Sequence, residues 1–386
     1  GRHPYRYGIT FAMKGMLEPF EVPLTTVLKK AGYATGHFGK WHMGTLSKKK
    51  GDQKRWGAFA KNPERYYCPP WERDVDVSFV TESKVPTWDP MKEPPPLKKK
   101  KKQPTSAEGK PYGNEYFTGP AQVAMENLEG DDSRVMMDRA IPFIEKAVKA
   151  EQPFLAVIWF HAPHSPVVAG PKHRALYQDL PENKQHYYGC ITALDEQVGR
   201  LRDTLKQLKI ADDTMLWFCS DNGPARQGSP RHVGTANHLS GYKLSLREGG
   251  IRVPGLLVWP KKYPEPKTVE TPCFTSDYFP TILAALDLPQ PGNRVYDGRN
   301  ILPFINDTKA KREGGIGFIH NSSKAWVEHQ YKIYTKNGKT FQLFDLFADP
   351  SEKNDLSQKL PEVKARLMKD FEAWYPGVMD DLAEIE

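Results

Sequence analysis

Pro153-Phe154-Leu155-Ala156-Val157-Ile158-Trp159-Phe160 is a continuous apolar run of strand length, and it ends on His161-Ala162-Pro163-His164. A strand without polar alternation is suited to burial on both faces, as in a parallel sheet covered by helices. Just before it, the spacing of Val135, Met136, Ile141, Ile144 and Val148 predicts a helix over 131–149, with Asp131, Asp132 or Ser133 as cap and Pro142 as a kink or tight turn. Just after it come a predicted helix at about 183–208 and further buried strands at 215–219 and 253–259. Earlier, a helix over 21–31 stops at Gly32 and a strand over 33–38 follows. Strands alternating with helices predict an α/β fold with a mainly parallel sheet flanked by helices.

Residues 45–127 break this pattern with proline, lysine and aromatic residues, an irregular insertion of the kind that shapes a binding surface. After a predicted helix at about 277–286 the texture changes again. Short strands near 316–319, 325–328, 331–334 and 341–346, the turn Lys336-Asn337-Gly338-Lys339 and a last helix at about 360–374 predict a small antiparallel α+β subdomain. The expected division is an α/β domain over 1–309 and this subdomain over 310–386.

A chain of 386 residues with 39% hydrophobic residues is long enough to bury a sizeable core. No apolar run is long enough to cross a bilayer as a helix. The formal net charge is +8, and the lysine runs 48–50 and 98–102 carry that whole excess. The rest is near neutral, which argues against a dedicated nucleic-acid binder. The second run, set between Pro94-Pro95-Pro96 and Pro104, reads as a solvated low-complexity loop or as a tether for a polyanion such as a sulfated glycan. Cys68, Cys190, Cys219 and Cys273 contain no Cys-x-x-Cys pair, and sequence does not choose among their pairings. Cys219 lies in an apolar strand and reads as a buried thiol.

In open α/β sheets ligands bind at the carboxyl ends of strands. His161 to His164 follows one such end, and Ser220-Asp221-Asn222-Gly223 follows another. Asp221 and Asn222 offer oxygen donors for a hard cation such as calcium or magnesium, although Asp-Asn-Gly is also ordinary turn chemistry. Lys40 and Lys243 suit an oxyanion because they neutralise charge, and His42 and His164 suit proton transfer because histidine as a residue type titrates near neutral pH. Taken singly, each of these residues also reads as a surface lysine or a packed histidine.

Four segments together resemble the type I sulfatase family: Gly32-Tyr33-Ala34-Thr35-Gly36-His37-Phe38-Gly39-Lys40-Trp41-His42, Phe160-His161-Ala162-Pro163-His164, Ser220-Asp221-Asn222-Gly223 and Glu248-Gly249-Gly250-Ile251-Arg252-Val253-Pro254. Tyr331-Lys332-Ile333 and the stretch from Leu343 to Leu356 are similar to the family's carboxy-terminal pattern. The resemblance implies an alkaline-phosphatase-like fold and hydrolysis of a sulfate ester, with a sulfated carbohydrate as the expected partner. It further implies that Lys40 and Lys243 contact sulfate, that His42 stands beside the nucleophile, that His164 binds sulfate and assists the leaving group, and that Asp221 and Asn222 ligate calcium. Glu248 and Arg252 read as structural, and His161 and His238 have no assigned role. The family also implies a secreted, periplasmic or lysosomal setting.

The chain departs from the family at one point. The family's nucleophile is formylglycine made from Cys or Ser in a C-x-P-S-R motif, and none of the four cysteines stands in one. Gly1-Arg2-His3-Pro4, with no initiator Met, resembles the family's residues just after the nucleophile helix. The expectation is therefore a fragment that is inactive alone. Two alternatives stay open: a phosphate or phosphonate ester hydrolase of the same fold, and a non-catalytic binder of sulfated glycans.

Overall fold

The computed structural model describes residues 1–11, 15–49, 51, 58–94, 109–226, 233–292 and 294–379. Lys50 and the lysine run 98–102 lie outside the described residues. The chain divides into two units, one of Gly15–Thr214 with Gln227–Val233, the other of Gly1–Lys14, Met215–Arg226 and Gly234–Glu386.

In the first unit, α1 (Leu24–Lys30) starts behind Pro23 and ends before Gly32, whose φ of 90° supplies the left-handed turn into β1 (Ala34–Lys40). The described residues of the irregular region hold the single turn α2 (Ala58–Lys61) and the strands β2 (Val77–Thr81), β3 (Phe117–Gly119) and β4 (Gln122–Val123). Helix α3 (Asp132–Lys149) is capped by the Asp131 carboxylate, which accepts from the Arg134 N–H at 3.1 Å. Strand β5 (Phe154–Trp159), α4 (Pro171–Ala175) and the long α5 (Glu182–Gln207) complete the unit. Met136, Met137, Ala140 and Ile144 of α3 are fully buried and pack the helix on β1 and β5.

The sheet order is β4-β3-β2-β1-β5. Central β1 runs parallel to both β2 and β5, whereas β3 and β4 join antiparallel, so the sheet is mixed. Among the described residues, strand β5 is hydrogen-bonded in the sheet only through β1. Its predicted burial on both faces is therefore not met: all its residues are half-buried or exposed, and Trp159 is 44% exposed.

In the second unit, β6 (Leu216–Cys219) and β7 (Gly255–Val258) pair with each other antiparallel. The sequence pattern predicts them instead as further strands of the mainly parallel sheet. A parallel pair needs a covering crossover, and the described residues between these two contain only one helix, the single turn α6 (Glu248–Ile251). Cys219 is half-buried at the end of this two-stranded pair and hydrogen-bonds Tyr278, so it is not the fully buried thiol read from its strand. After α7 (Tyr278–Ala285) and α8 (Leu302–Asn306) comes an antiparallel sheet of β8 (Ile316–His320), β9 (Ser323–Glu328), β10 (Tyr331–Thr335) and β11 (Gln342–Asp345), in the order β11-β10-β9-β8. Helix α9 (Pro361–Met379) covers one face, where Leu367 and Phe371 pack on Trp326, Ile333 and Leu343. The other face packs on Leu246 through Ala325, Val327, Tyr334 and Phe344. Among the described residues no helix is long and apolar enough to cross a membrane, and all four cysteines are free thiols.

Candidate active site

Lys40 is the last residue of β1, half-buried, in register with Thr81 at the end of β2. The position before it must be glycine. Gly39 has φ of 100°, and a Cβ there would meet the Trp159 carbonyl oxygen at 2.1 Å and the Met136 sulfur at 2.5 Å. Two hydrogen bonds then steer the chain past the strand end: Trp41 N–H donates to the Thr81 carbonyl and His42 N–H to the Glu82 carbonyl, both at 2.9 Å. His42 adopts a φ of 55°, a left-handed conformation unusual outside glycine. Such strain persists where the surroundings over-determine it and is common at functional sites.

His37, in the same strand, has a different character. It is buried edge-on to Trp41 and Trp159, with ring centroids at 5.0 and 4.7 Å. Burial pulls its pKa down to about 4, so it is a neutral core residue near pH 7.

One turn beyond β5, His164 N–H donates to the His161 carbonyl at 2.6 Å. The His164 Nδ1–H donates to the Ser165 carbonyl at 2.7 Å, which in the neutral ring leaves the lone pair on Nε2. The Ala162–Pro163 and Ser165–Pro166 bonds are cis. Because Gly39 is in register with Trp159, the segments carrying Lys40, His42 and His164 leave adjacent strand ends of one sheet.

His161 itself is buried. Its Nδ1 lies 2.8 Å from Asp132 Oδ2 and its Nε2 2.7 Å from Thr81 Oγ1. Tyr116 Oη donates to the other oxygen of Asp132 at 2.6 Å. These four side chains are each 1% exposed or less. A buried network whose members are all paired rigidifies what it touches. Next to it, burial raises the Asp131 carboxyl to about pKa 6, with the neighbouring Asp132 charge adding to the effect. None of this network was assigned from sequence. Thr81 and Tyr116 fall in the loosely patterned insertion, and Asp132 read only as a possible cap.

Asp221, Asn222 and Lys243 belong to the second unit. Asp221 is exposed and Asn222 half-buried beyond β6. Ser220 Oγ donates to the Asn222 carbonyl at 3.0 Å, and Gly223 N–H to the Gly250 carbonyl at 3.0 Å. A Cβ on Gly223 would lie 1.9 Å from the Gly249 carbonyl oxygen, so this loop rests directly on α6. Lys243 N–H donates to the Pro224 carbonyl at 2.8 Å, which ties the lysine to the same loop. Beneath α6, Lys332 Nζ lies 2.8 Å from Glu248 Oε1 and 3.1 Å from Glu352 Oε1, and Glu352 Oε2 accepts from the Glu248 N–H at 2.7 Å. Arg252 stands 3.9 Å from Glu248, in keeping with the structural reading of both. His238 is exposed.

Asp221 and Asn222 are oxygen donors of the kind calcium prefers, but that ion takes six to eight ligands. Among the described residues no group of three or more His, Cys, Asp or Glu is placed to hold a metal. The pair fits calcium in kind and falls short in number.

The sulfatase family model matches residues 1–288. N-acetylgalactosamine-6-O-sulfatase of Bacteroides thetaiotaomicron is 27% identical over 97% of this chain and 81% of its own length. The uncharacterized sulfatase YdeN of Escherichia coli is 26% identical over 92% of this chain, and Arylsulfatase G of Mus musculus 28% identical over 78%. The chain spans only 62% and 57% of the lengths of these last two. Among solved structures, Ps i-CgsB in complex with k-i-k-neocarrahexaose is 26% identical with a TM-score of 0.77, covering 97% of this chain and 79% of that one. With the strand-end lysine, the histidine turn and the Ser220–Gly223 loop all inside the matched span, the chain belongs to the sulfatase family.

Proposed function

We propose that this protein takes part in hydrolysis of a sulfate ester on a carbohydrate, releasing an alcohol and inorganic sulfate. One observation carries the reading: the family match over residues 1–288 contains all six candidate residues, Lys40, His42, His164, Asp221, Asn222 and Lys243. The carbohydrate class is supported by relatives named for N-acetylgalactosamine sulfate and by a similar structure bound to a neocarrahexaose.

In this reading Lys40 and Lys243 bind the non-bridging sulfate oxygens and stabilise the charge they carry in the transition state. In its imidazolium form His164 hands the Nε2 proton to the leaving alcohol oxygen and returns to the neutral ring whose Nδ1–H stays on Ser165. His42 orients the nucleophile. Asp221 and Asn222 supply part of a calcium site, whose ion would neutralise sulfate charge when bound. The 386-residue chain has no C-x-P-S-R motif, so on its own it binds sulfate esters without turning them over. The family's secreted, periplasmic or lysosomal setting, and the division at residue 310, belong to the same proposal.

The test compares turnover of an aryl sulfate and an aryl phosphate by the protein expressed from its natural reading frame. The reading expects the sulfate to be preferred by at least about a hundredfold in kcat/KM, a difference of roughly 3 kcal/mol in transition-state binding. Preference for the phosphate would replace it with the phosphohydrolase alternative.

A further inference from the structure

We infer that His161 is a positioning residue, setting His164 against Lys40 and His42 through its hydrogen bond to Thr81. This rests on the sulfate-binding reading above and goes beyond it, because His161 and Thr81 are placed in no sulfate contact. The geometry is specific. The backbone of Thr81 and Glu82 directly holds Trp41 and His42, and Thr81 is in register with Lys40. The side chain of the same Thr81 reaches the other way, to His161 Nε2 at 2.7 Å. The carbonyl of His161 in turn receives the His164 N–H at 2.6 Å. One threonine thus joins the strand end bearing one pair of candidate residues to the turn bearing the third.

The far side of the imidazole is fixed independently. Asp132, in the first turn of α3, accepts from Nδ1 at 2.8 Å and is itself held by Tyr116 Oη at 2.6 Å. The ring therefore spans two elements, the start of α3 and the end of β2, and cannot rotate without breaking a buried hydrogen bond on each side. Leaving such groups unpaired is costly, so the turn is locked relative to the strand end. The same Thr81 hydroxyl also lies 2.7 Å from the Ser83 carbonyl, a second polar contact that holds its side chain in place.

The experiment titrates inorganic sulfate into this chain by calorimetry, with Lys40→Ala as the control for the underlying reading. Thr81→Val keeps the shape and removes the hydroxyl, whereas Thr81→Ser keeps the hydroxyl and removes a methyl. The inference expects Thr81→Val to weaken sulfate binding about tenfold and Thr81→Ser to bind like the parent, since small displacements of binding groups are expensive. A packing role would reverse that order. His161→Asn lacks the Nε2 atom and breaks the same bond from the other side. It should weaken binding as Thr81→Val does, and the double variant should lose no more than either single one. If Thr81→Val does not fold, the contrast of His161→Asn with Thr81→Ser reads the same bond. Unchanged affinity in Thr81→Val or in His161→Asn, or a loss in Thr81→Ser equal to that in Thr81→Val, overturns the inference while leaving the sulfate reading intact. No sulfate binding by the parent, or full binding by Lys40→Ala, overturns the sulfate reading and this inference with it.

Discussion

Asp131→Asn is expected to stabilise the first unit, by a gain that builds from pH 3.8 and is complete above about pH 6. Asp131 is 7% exposed at the start of α3, and burial raises its carboxyl from 3.8 to about 6. Folding therefore tightens its hold on a proton. The group's contribution to stability is fully present below pH 3.8 and is lost as pH rises through about 6. Two pKa units correspond to about 3 kcal/mol, which bounds the cost of carrying this charge folded near pH 7. Asparagine is as good a helix cap as aspartate, and its side-chain oxygen can still accept from the Arg134 N–H. The substitution should thus gain about 1 to 3 kcal/mol at pH 7.5 and be near neutral at pH 4. Urea unfolding at four pH values between 4 and 7.5 measures both the gain and the flattened slope. An equal loss of stability at every pH would show that the carboxylate is held for its cap alone, and the reasoning from burial would fail.

Three further outcomes rest on the same physical arguments. Lys332→Met should cost about 3 to 5 kcal/mol in urea or thermal unfolding, because Glu248 and Glu352 would be left buried without their cation. Adding Glu248→Gln to that variant should restore part of the loss. Gly39→Ala should lose more than about 2 kcal/mol, since its Cβ would sit 2.1 Å from the Trp159 carbonyl oxygen at a positive φ; a Tm like the parent's would contradict the close approach. Gly223→Ala should move the Asp221-Asn222 loop off α6, seen as lost amide protection or shifted amide signals at Gly223 and Gly250, whereas unchanged spectra would refute that contact.

Much of the framework was legible in the sequence because it arises from local periodicity. The helix over 131–149 and the strand over 153–160 appear within a residue or so of their predicted ends. The antiparallel carboxy-terminal sheet with its covering helix also appears as read. Pairing was harder. Nothing local in the 215–219 and 253–259 stretches says that β6 pairs with β7 antiparallel, because the partner is decided by what the intervening chain covers. The edge position of β5 escaped for the same reason, since an apolar run does not reveal how many neighbours it has.

The candidate site divides in the same way. Lys40 and the two histidines stood out because they terminate strands. The groups that hold them did not. Thr81 acquires meaning only through the register that sets it beside Lys40, and Tyr116 only through its bond to Asp132. A hydroxyl in an irregular stretch carries no pattern. Asp132 was visible as an acidic residue at a helix start, which is ordinary capping chemistry, and its second use in holding His161 depends on long-range packing.

The central claim is that Lys40 binds a sulfate ester of a carbohydrate for hydrolysis. The direct measurement is release of inorganic sulfate from a sulfated galactose-based oligosaccharide, followed by ion chromatography, for the protein from its natural reading frame and for its Lys40→Ala variant. The account predicts sulfate release by the parent and a fall in kcat/KM of at least about a hundredfold in the variant, in line with loss of one strong oxyanion contact. Release undiminished in Lys40→Ala, or none from any sulfated sugar by a folded parent, would contradict it.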